Sequence, residues 1–183
     1  MQVIKTEIKD LLIIEPDIFS DKRGFFVETY NKERYKEMGI AEEFTQDNLS
    51  KSTKGVLRGL HAQKDPYAQG KLVQVITGAV LDVAVDARPN SETYGQWEGV
   101  VLTEENKKQF YLPPGFLHGF ITLEEEAIFS YKCTTLYNPE AEVCVKWNDR
   151  ELNIDWQFEK YGIKEPIISE KDQQGIGFTN LIS

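Results

Sequence analysis

The chain carries two histidines, His61 and His118. Imidazole is the side chain whose ordinary pKa lies nearest neutrality, so it is the usual group for moving a proton. Two histidines are too few for the three-histidine-plus-carboxylate metal sites of many small β-barrels. The scarcity points to proton chemistry rather than metal chemistry. His61 ends the run Arg58-Gly59-Leu60-His61. In a regular strand Arg58 and His61 face opposite ways, unless Gly59 permits a bend or bulge. With the bend, His61 is a base and Arg58 an anion clamp. Without it, they are a core histidine and an unrelated surface arginine. His118 sits in Pro113-Pro114-Gly115-Phe116-Leu117-His118-Gly119-Phe120. Such a rigid turn can fix a catalytic side chain or make an ordinary barrel corner. Glycines on both sides of Phe116-Leu117-His118, which allow close backbone approach, favour the site.

Other residues have chemistry to offer. Lys71 opens an apolar strand in Gln69-Gly70-Lys71-Leu72-Val73, as a solvated edge residue or as a cation at a cavity rim. Tyr131 and Tyr137 are packing residues, or a proton donor and a stacking surface. A phenol with a pKa of about 10 is acid enough to protonate a carbanion. Asp82 lies in a valine-rich strand, which is costly unless the carboxylate is paired. A hydrogen-bond anchor is the favoured reading there over a site residue. Ser169-Glu170-Lys171-Asp172 is ordinary solvated surface unless the tail folds back to the barrel mouth. In that case Asp172 becomes a partner for His61.

These groups need elements to hold them. Val3 to Ile14 and Phe25 to Tyr30 read as strands separated by a polar turn, Asp17 to Gly24. Asn31 to Met38 reads as a short helix capped by Asn31 and closed by Gly39. From Val56 to Trp147 strands alternate with turns. Leu72 to Thr77 and Val80 to Asp86 flank Gly78-Ala79. Tyr111-Leu112 and Phe120 to Leu123 flank the Pro-Pro-Gly turn. Ile128 to Thr135 and Ala141 to Trp147 flank Asn138-Pro139. Many short strands at this spacing predict a β-sandwich or barrel. Leu81, Val83 and Val85 should share one face, and Asp82, Ala84 and Asp86 the other. The tail from Asn148 to Ser183 reads as polar, with one short helix.

The chain has 183 residues, 40% of them apolar, which suits one globular domain spanning residues 1–183. A net charge of −9 argues against binding nucleic acid, whose phosphates select basic surfaces. It leaves room for one small anionic ligand in a locally basic pocket. Cys133 and Cys144 are no disulfide framework. The first residues lack the apolar core of a signal peptide, and no apolar run approaches membrane-spanning length. The expectation is a soluble cytoplasmic protein.

Together and in order, the motifs resemble the dTDP-4-dehydrorhamnose 3,5-epimerase family. The similarity begins at Asp21-Lys22-Arg23-Gly24-Phe25-Phe26-Val27-Glu28 and runs through Phe44-Thr45-Gln46-Asp47-Asn48-Leu49-Ser50. It continues through Gly55 to His61, Gln69 to Val73, Gly78 to Asp86 and the Pro-Pro-Gly-Phe-Leu-His-Gly-Phe turn. Tyr131-Lys132-Cys133-Thr134, Trp147-Asn148-Asp149 and Ser169 to Asp172 complete it. The resemblance implies an all-β fold, a double-stranded β-helix (cupin-type jelly roll) with a few short peripheral helices. It implies a homodimer whose N-terminal region reaches the partner's site, and neither cofactor nor metal. The substrate would be the nucleotide sugar dTDP-4-dehydro-6-deoxy-D-glucose, the product dTDP-4-dehydro-L-rhamnose. By the same resemblance His61 is the proton acceptor, Asp172 orients it, Tyr131 is the donor and Lys71 sits near the C4 carbonyl oxygen. Arg23, Glu28, Gln46, Asp47, Asn48, Arg58, His118, Glu142 and Lys171 hold the nucleotide sugar, and Phe26 and Tyr137 contact the thymine.

One departure is Ala62, where the family usually has an aromatic residue. It keeps open an epimerase acting at C3 or C5 alone on a related sugar. A non-catalytic cupin that binds a ligand or a metal is the reading from another class.

Overall fold

The computed structural model describes residues 1–181. The N-terminal part contains β1 (Gln2–Lys5), β2 (Leu12–Glu15), β3 (Ile18–Asp21), β4 (Gly24–Val27) and helix α1 (Lys32–Glu37). The central part contains β5 (Gln46–Thr53), β6 (Leu57–Gln63), β7 (Lys71–Thr77), β8 (Ala79–Asp86) and β9 (Trp97–Thr103). Then come β10 (Gln109–Leu112), β11 (Phe116–Thr122), β12 (Glu126–Cys133) and β13 (Glu142–Cys144), and the short helices α2 (Phe158–Tyr161) and α3 (Glu170–Gln173). One sheet runs β1-β2-β10-β7-β12-β5 and the second β13-β6-β11-β8-β9, while among the described residues β3 and β4 pair only with each other. The ladders in both sheets are antiparallel. The two sheets pack face to face as the cupin-like jelly roll.

Side-chain alternation explains the layers. Val80 and Ala84 of β8 join Val73, Phe116, Phe120 and Phe129 in the core between the sheets. Leu81, Val83 and Val85 point the other way, into a second core. The predicted split of β8 into two faces is therefore present, with both faces buried. Each fully buried Val, Leu or Phe is worth roughly 1.5–3 kcal/mol. That apolar mass tolerates the cost of burying Asp82 completely. The second core is closed by the tail: Leu152, Trp156, Ile163 and Phe178 cover the outer face of the five-stranded sheet. Helix α1 covers the other outer face with Tyr35, whose hydroxyl donates to Gln109 Oε1 at 2.6 Å.

Several boundaries differ from the sequence reading. Val3 to Ile14 is a hairpin of two strands, because Thr6 and Asp10 turn the chain between them. The segment read as a turn at Asp17 to Gly24 contains β3, and β4 ends at Val27. The helix after Asn31 is present, and the Asn31 side chain accepts from the Arg34 N–H. β13 is shorter than Ala141 to Trp147. The tail contains α2, α3 and a short 3-10 turn, and Leu152, Trp156, Ile163 and Phe178 are sheet cover, while Ile167 and Ile176 remain exposed. No helix among the described residues is long and apolar enough to cross a membrane.

Candidate active site

β6 and β11 supply the two histidines, which lie directly opposite each other across the ladder. Between them the register shifts: His118 pairs with His61, but Phe120 pairs with Arg58. Gly59 and Leu60 therefore bulge against the single residue Gly119, and the bulge brings Arg58 and His61 to the same cavity. Gly59 sits at φ +109°, and a Cβ there would lie 2.5 Å from the His118 carbonyl oxygen. Only glycine fits that position. The strand thus takes the bent alternative that the sequence left open.

The tail completes the dyad. Ser169 caps α3, its Oγ accepting from the Asp172 N–H at 3.1 Å. Asp172 Oδ1 then lies 2.7 Å from His61 Nε2, and Oδ2 accepts the Gly59 N–H at 3.2 Å. Burial pushes the Asp172 carboxyl up, but the bonds from His61, Gly59 and Ser169 outweigh it and hold the carboxyl below its ordinary value. Asp172 is accordingly an anion. Its charge favours the proton on Nε2 and leaves the Nδ1 lone pair to act as base.

A second pair lies alongside. His118 Nε2 is 2.9 Å from Asp82 Oδ2, and both side chains are buried. Burial lowers the His118 pKa despite the carboxylate. Asp82 Oδ1 has no hydrogen-bond partner among the described residues.

The opposite sheet contributes Lys71, at the start of β7, and Tyr131 on β12. Burial pulls the Lys71 ammonium below its ordinary value, opposed by Cys133, Asp82 and Glu142. Burial pushes the Tyr131 phenol up, so it stays protonated at neutral pH. His61, Lys71 and Tyr131 border two adjoining hollows of about 510 and 320 Å³, a size suited to a small ligand. The larger also meets Arg58, His118, Lys171 and Asp172. The smaller meets Gln46, Asn48, Tyr137 and Glu142. Here the Tyr137 hydroxyl donates to Glu142 at 2.8 Å, and Gln46 Oε1 accepts the Tyr137 N–H at 2.8 Å. Lys171 also pairs with Glu142.

Four residues singled out from the sequence border neither hollow. The alternation of β5 turns Gln46 and Asn48 inward and Asp47 outward, where it pairs with Lys132 at 2.8 Å. Arg23 pairs with Asp21, and Glu28 with Arg34, while Phe26 is exposed. Arg23 and Phe26 lie on the unattached β3–β4 hairpin and Glu28 just beyond it. Conversely, Asp82 and Ser169 support the two histidine–carboxylate pairs without having been assigned to the site, and Cys144 lies behind the His61–Asp172 pair, bordering neither hollow. A strand pattern could signal that Asp82 needs a partner. The capping sequence Ser169-Glu170-Lys171-Asp172 could signal α3. Cys144 faces His61 only through the β6–β13 register, which no local pattern encodes.

Comparison with known proteins agrees with this geometry. A family model described as dTDP-4-dehydrorhamnose 3,5-epimerase matches residues 5–180. The chain is 51% identical to the dTDP-4-dehydrorhamnose 3,5-epimerase of Shigella flexneri, over 98% of this chain and 97% of the relative. The crystal structure of the enzyme so named from Elizabethkingia anophelis superposes with a TM-score of 0.92 at 52% identity, covering 99% of this chain and 98% of the other. A dTDP-6-deoxy-D-glucose-3,5-epimerase from Legionella pneumophila, solved with dTDP-4-keto-L-rhamnose, gives a TM-score of 0.93 at 49% identity, covering 100% and 94%. This chain belongs to the dTDP-4-dehydrorhamnose 3,5-epimerase family.

Proposed function

We propose that the chain converts dTDP-4-dehydro-6-deoxy-D-glucose to dTDP-4-dehydro-L-rhamnose by inverting C3 and C5. The observation that carries this reading is one compartment with an Asp-backed imidazole on one sheet and a protonated phenol and a lysine on the other. C3 and C5 both neighbour the C4 ketone, so loss of either proton gives an enolate whose charge spreads to the ketone oxygen. His61 Nδ1 takes the proton, and Asp172 offsets the imidazolium charge. A well-placed base of this kind contributes about 10²–10⁴-fold. Lys71 stabilises the enolate oxygen, a role worth roughly 3–4 kcal/mol for one preorganised group. Tyr131 then returns a proton to the carbon from the opposite ring face. A base and an acid on facing walls accomplish this without turning the sugar over.

Arg58 and Lys171 suit the diphosphate, and Tyr137 suits the thymine ring. The isolated β3–β4 hairpin exposes Ile18, Phe19, Phe25 and Phe26, more apolar surface than a lone hairpin sustains in water. A homodimer in which this hairpin enters the partner's cavity covers those side chains and brings Arg23, Phe26 and Glu28 to a site. The free thiols of Cys133 and Cys144 suit a reducing, cytoplasmic setting.

Proton NMR of the sugar in heavy water tests the reaction. Deuterium is expected at both C3 and C5, and His61→Ala should lose exchange at both by about 10²–10⁴-fold. Exchange at C3 alone in the unaltered chain would instead identify a single-site epimerase.

A further inference from the structure

Strand β13 brings a thiol to the dyad. Cys144 is the β-ladder partner of His61, and its Sγ lies 3.9 Å from Asp172 Oδ1. One ligand atom each from His61, Cys144 and Asp172 falls within 4.8 Å of the others. The proposed reaction makes no use of this thiol. Burial, then the charges of Asp172 and Glu142, push it up to about 11, so at neutral pH it is held as the neutral thiol.

We propose that His61, Cys144 and Asp172 form an inhibitory site for a thiophilic divalent cation such as zinc. An imidazole, a thiolate and a carboxylate are the donor set zinc prefers. Its bonds of about 2.0–2.3 Å in a tetrahedron put neighbouring ligand atoms roughly 3.2–3.7 Å apart. The spacings here, 2.7 Å from His61 to Asp172 and 3.9 Å from Cys144 to Asp172, straddle that range. Small side-chain rotations suffice to admit the ion.

The proton balance explains the inhibition. In the resting dyad the ring proton sits on Nε2, and Nδ1 offers its lone pair. The cation takes Nε2, the ring proton moves to Nδ1, and the thiol proton leaves to solvent. No electron is transferred. The single free lone pair of the imidazole is now occupied by the cation, and the base has nothing left to accept a proton with. The metal is thus a poison of this site rather than its cofactor.

The inhibitory consequence rests on His61 being the base, so the test separates binding from activity. Metal-free full-length protein is titrated with zinc chloride while epimerisation is followed, and in parallel with cobalt(II) alone. Zinc should inhibit at one ion per chain, and a chelator should restore activity. Cobalt should give a sulfur-to-metal charge-transfer band. Cys144→Ala and Cys144→Ser, the second preserving volume, should abolish the band and retain activity in the absence of metal. Each should raise the half-inhibiting zinc concentration at least about tenfold, the lower end of what even an outer-shell partner contributes to metal affinity. Equal zinc sensitivity in the original chain and both variants overturns the proposal, as does a cobalt complex without the sulfur band. A sulfur band with undiminished epimerisation also overturns it, by removing the inhibition. A chain with no epimerase activity at all overturns the reading of the preceding subsection instead, and the cobalt spectrum then decides the site by itself.

Discussion

His61–Asp172 and His118–Asp82 are the same pair of residue types, their histidines facing each other across one ladder, built to opposite ends. His61 keeps 27% of its side chain exposed, whereas His118 keeps 8%. Asp172 has both oxygens bonded, and its charge is supported by a backbone N–H and the imidazole. Asp82 has one oxygen bonded and one orphaned in the core. The first pair opens on the cavity beside a fully bonded carboxylate, the setting that the proposed base requires. The second resists one, since burial lowers the His118 pKa. The same two residue types make the proposed base in one place and a buried hydrogen-bonding post in the other, and the surroundings make the difference.

The sharpest way to break this comparison is to neutralise each carboxylate in turn. Asp172→Asn removes the charge that fixes the His61 tautomer, and kcat should fall by about 10²–10⁴-fold. Asp82→Asn should lower kcat by less than about tenfold and instead cost stability. Its amide would bury a donor where the orphaned oxygen now sits, a penalty of about 1–3 kcal/mol readable from denaturant midpoints. Equal losses of kcat would mean that both pairs handle the proton.

Tyr131→Phe asks whether the facing wall supplies the return proton. Inversion should slow by about 10²-fold, as expected for a lost general acid. Exchange into solvent should slow less, because deuterium can return from the side it left. Parallel slowing in the same NMR experiment would argue against the donor role.

The smallest effect concerns pH. The folded pKa of His118 lies below its ordinary value of 6.5. Between those two values the unfolded chain binds a proton that the folded chain refuses. The stability tied to His118 is therefore complete above 6.5 and declines as pH falls toward the folded value. Asp172, held below 3.8, gives its share above that value and loses it at still lower pH. His118→Asn should flatten the dependence of the denaturant midpoint between pH 7 and 5, to be read by urea titration.

The sequence speaks most clearly where alternation is chemical as well as geometric. β8 declares its two faces because valine and leucine alternate with smaller or charged residues. β5 is silent, since Gln46 to Thr53 is polar on both faces apart from an exposed Leu49. The tail was misleading for another reason: Leu152, Trp156, Ile163 and Phe178 are spread over turns and very short helices, and only the sheet beneath them gives them a common role. Family resemblance assigned His61, Lys71, Tyr131 and Asp172, whereas the residues themselves left each with an ordinary structural alternative. That Cys144 faces His61, and that Asp82 backs His118, are properties of pairing between distant strands. No window of local sequence contains them.

The carboxylate that orients His61 lies 111 positions further along the chain. During synthesis the strands of both sheets have left the ribosome well before Asp172 has. Until the tail arrives, the outer face of the five-stranded sheet lacks the cover of Leu152, Trp156, Ile163 and Phe178, and the imidazole lacks its anion. On the proposed mechanism, turnover waits until this segment has wrapped the outer sheet and delivered α3, so the onset of activity would mark that the C-terminal wrap has docked.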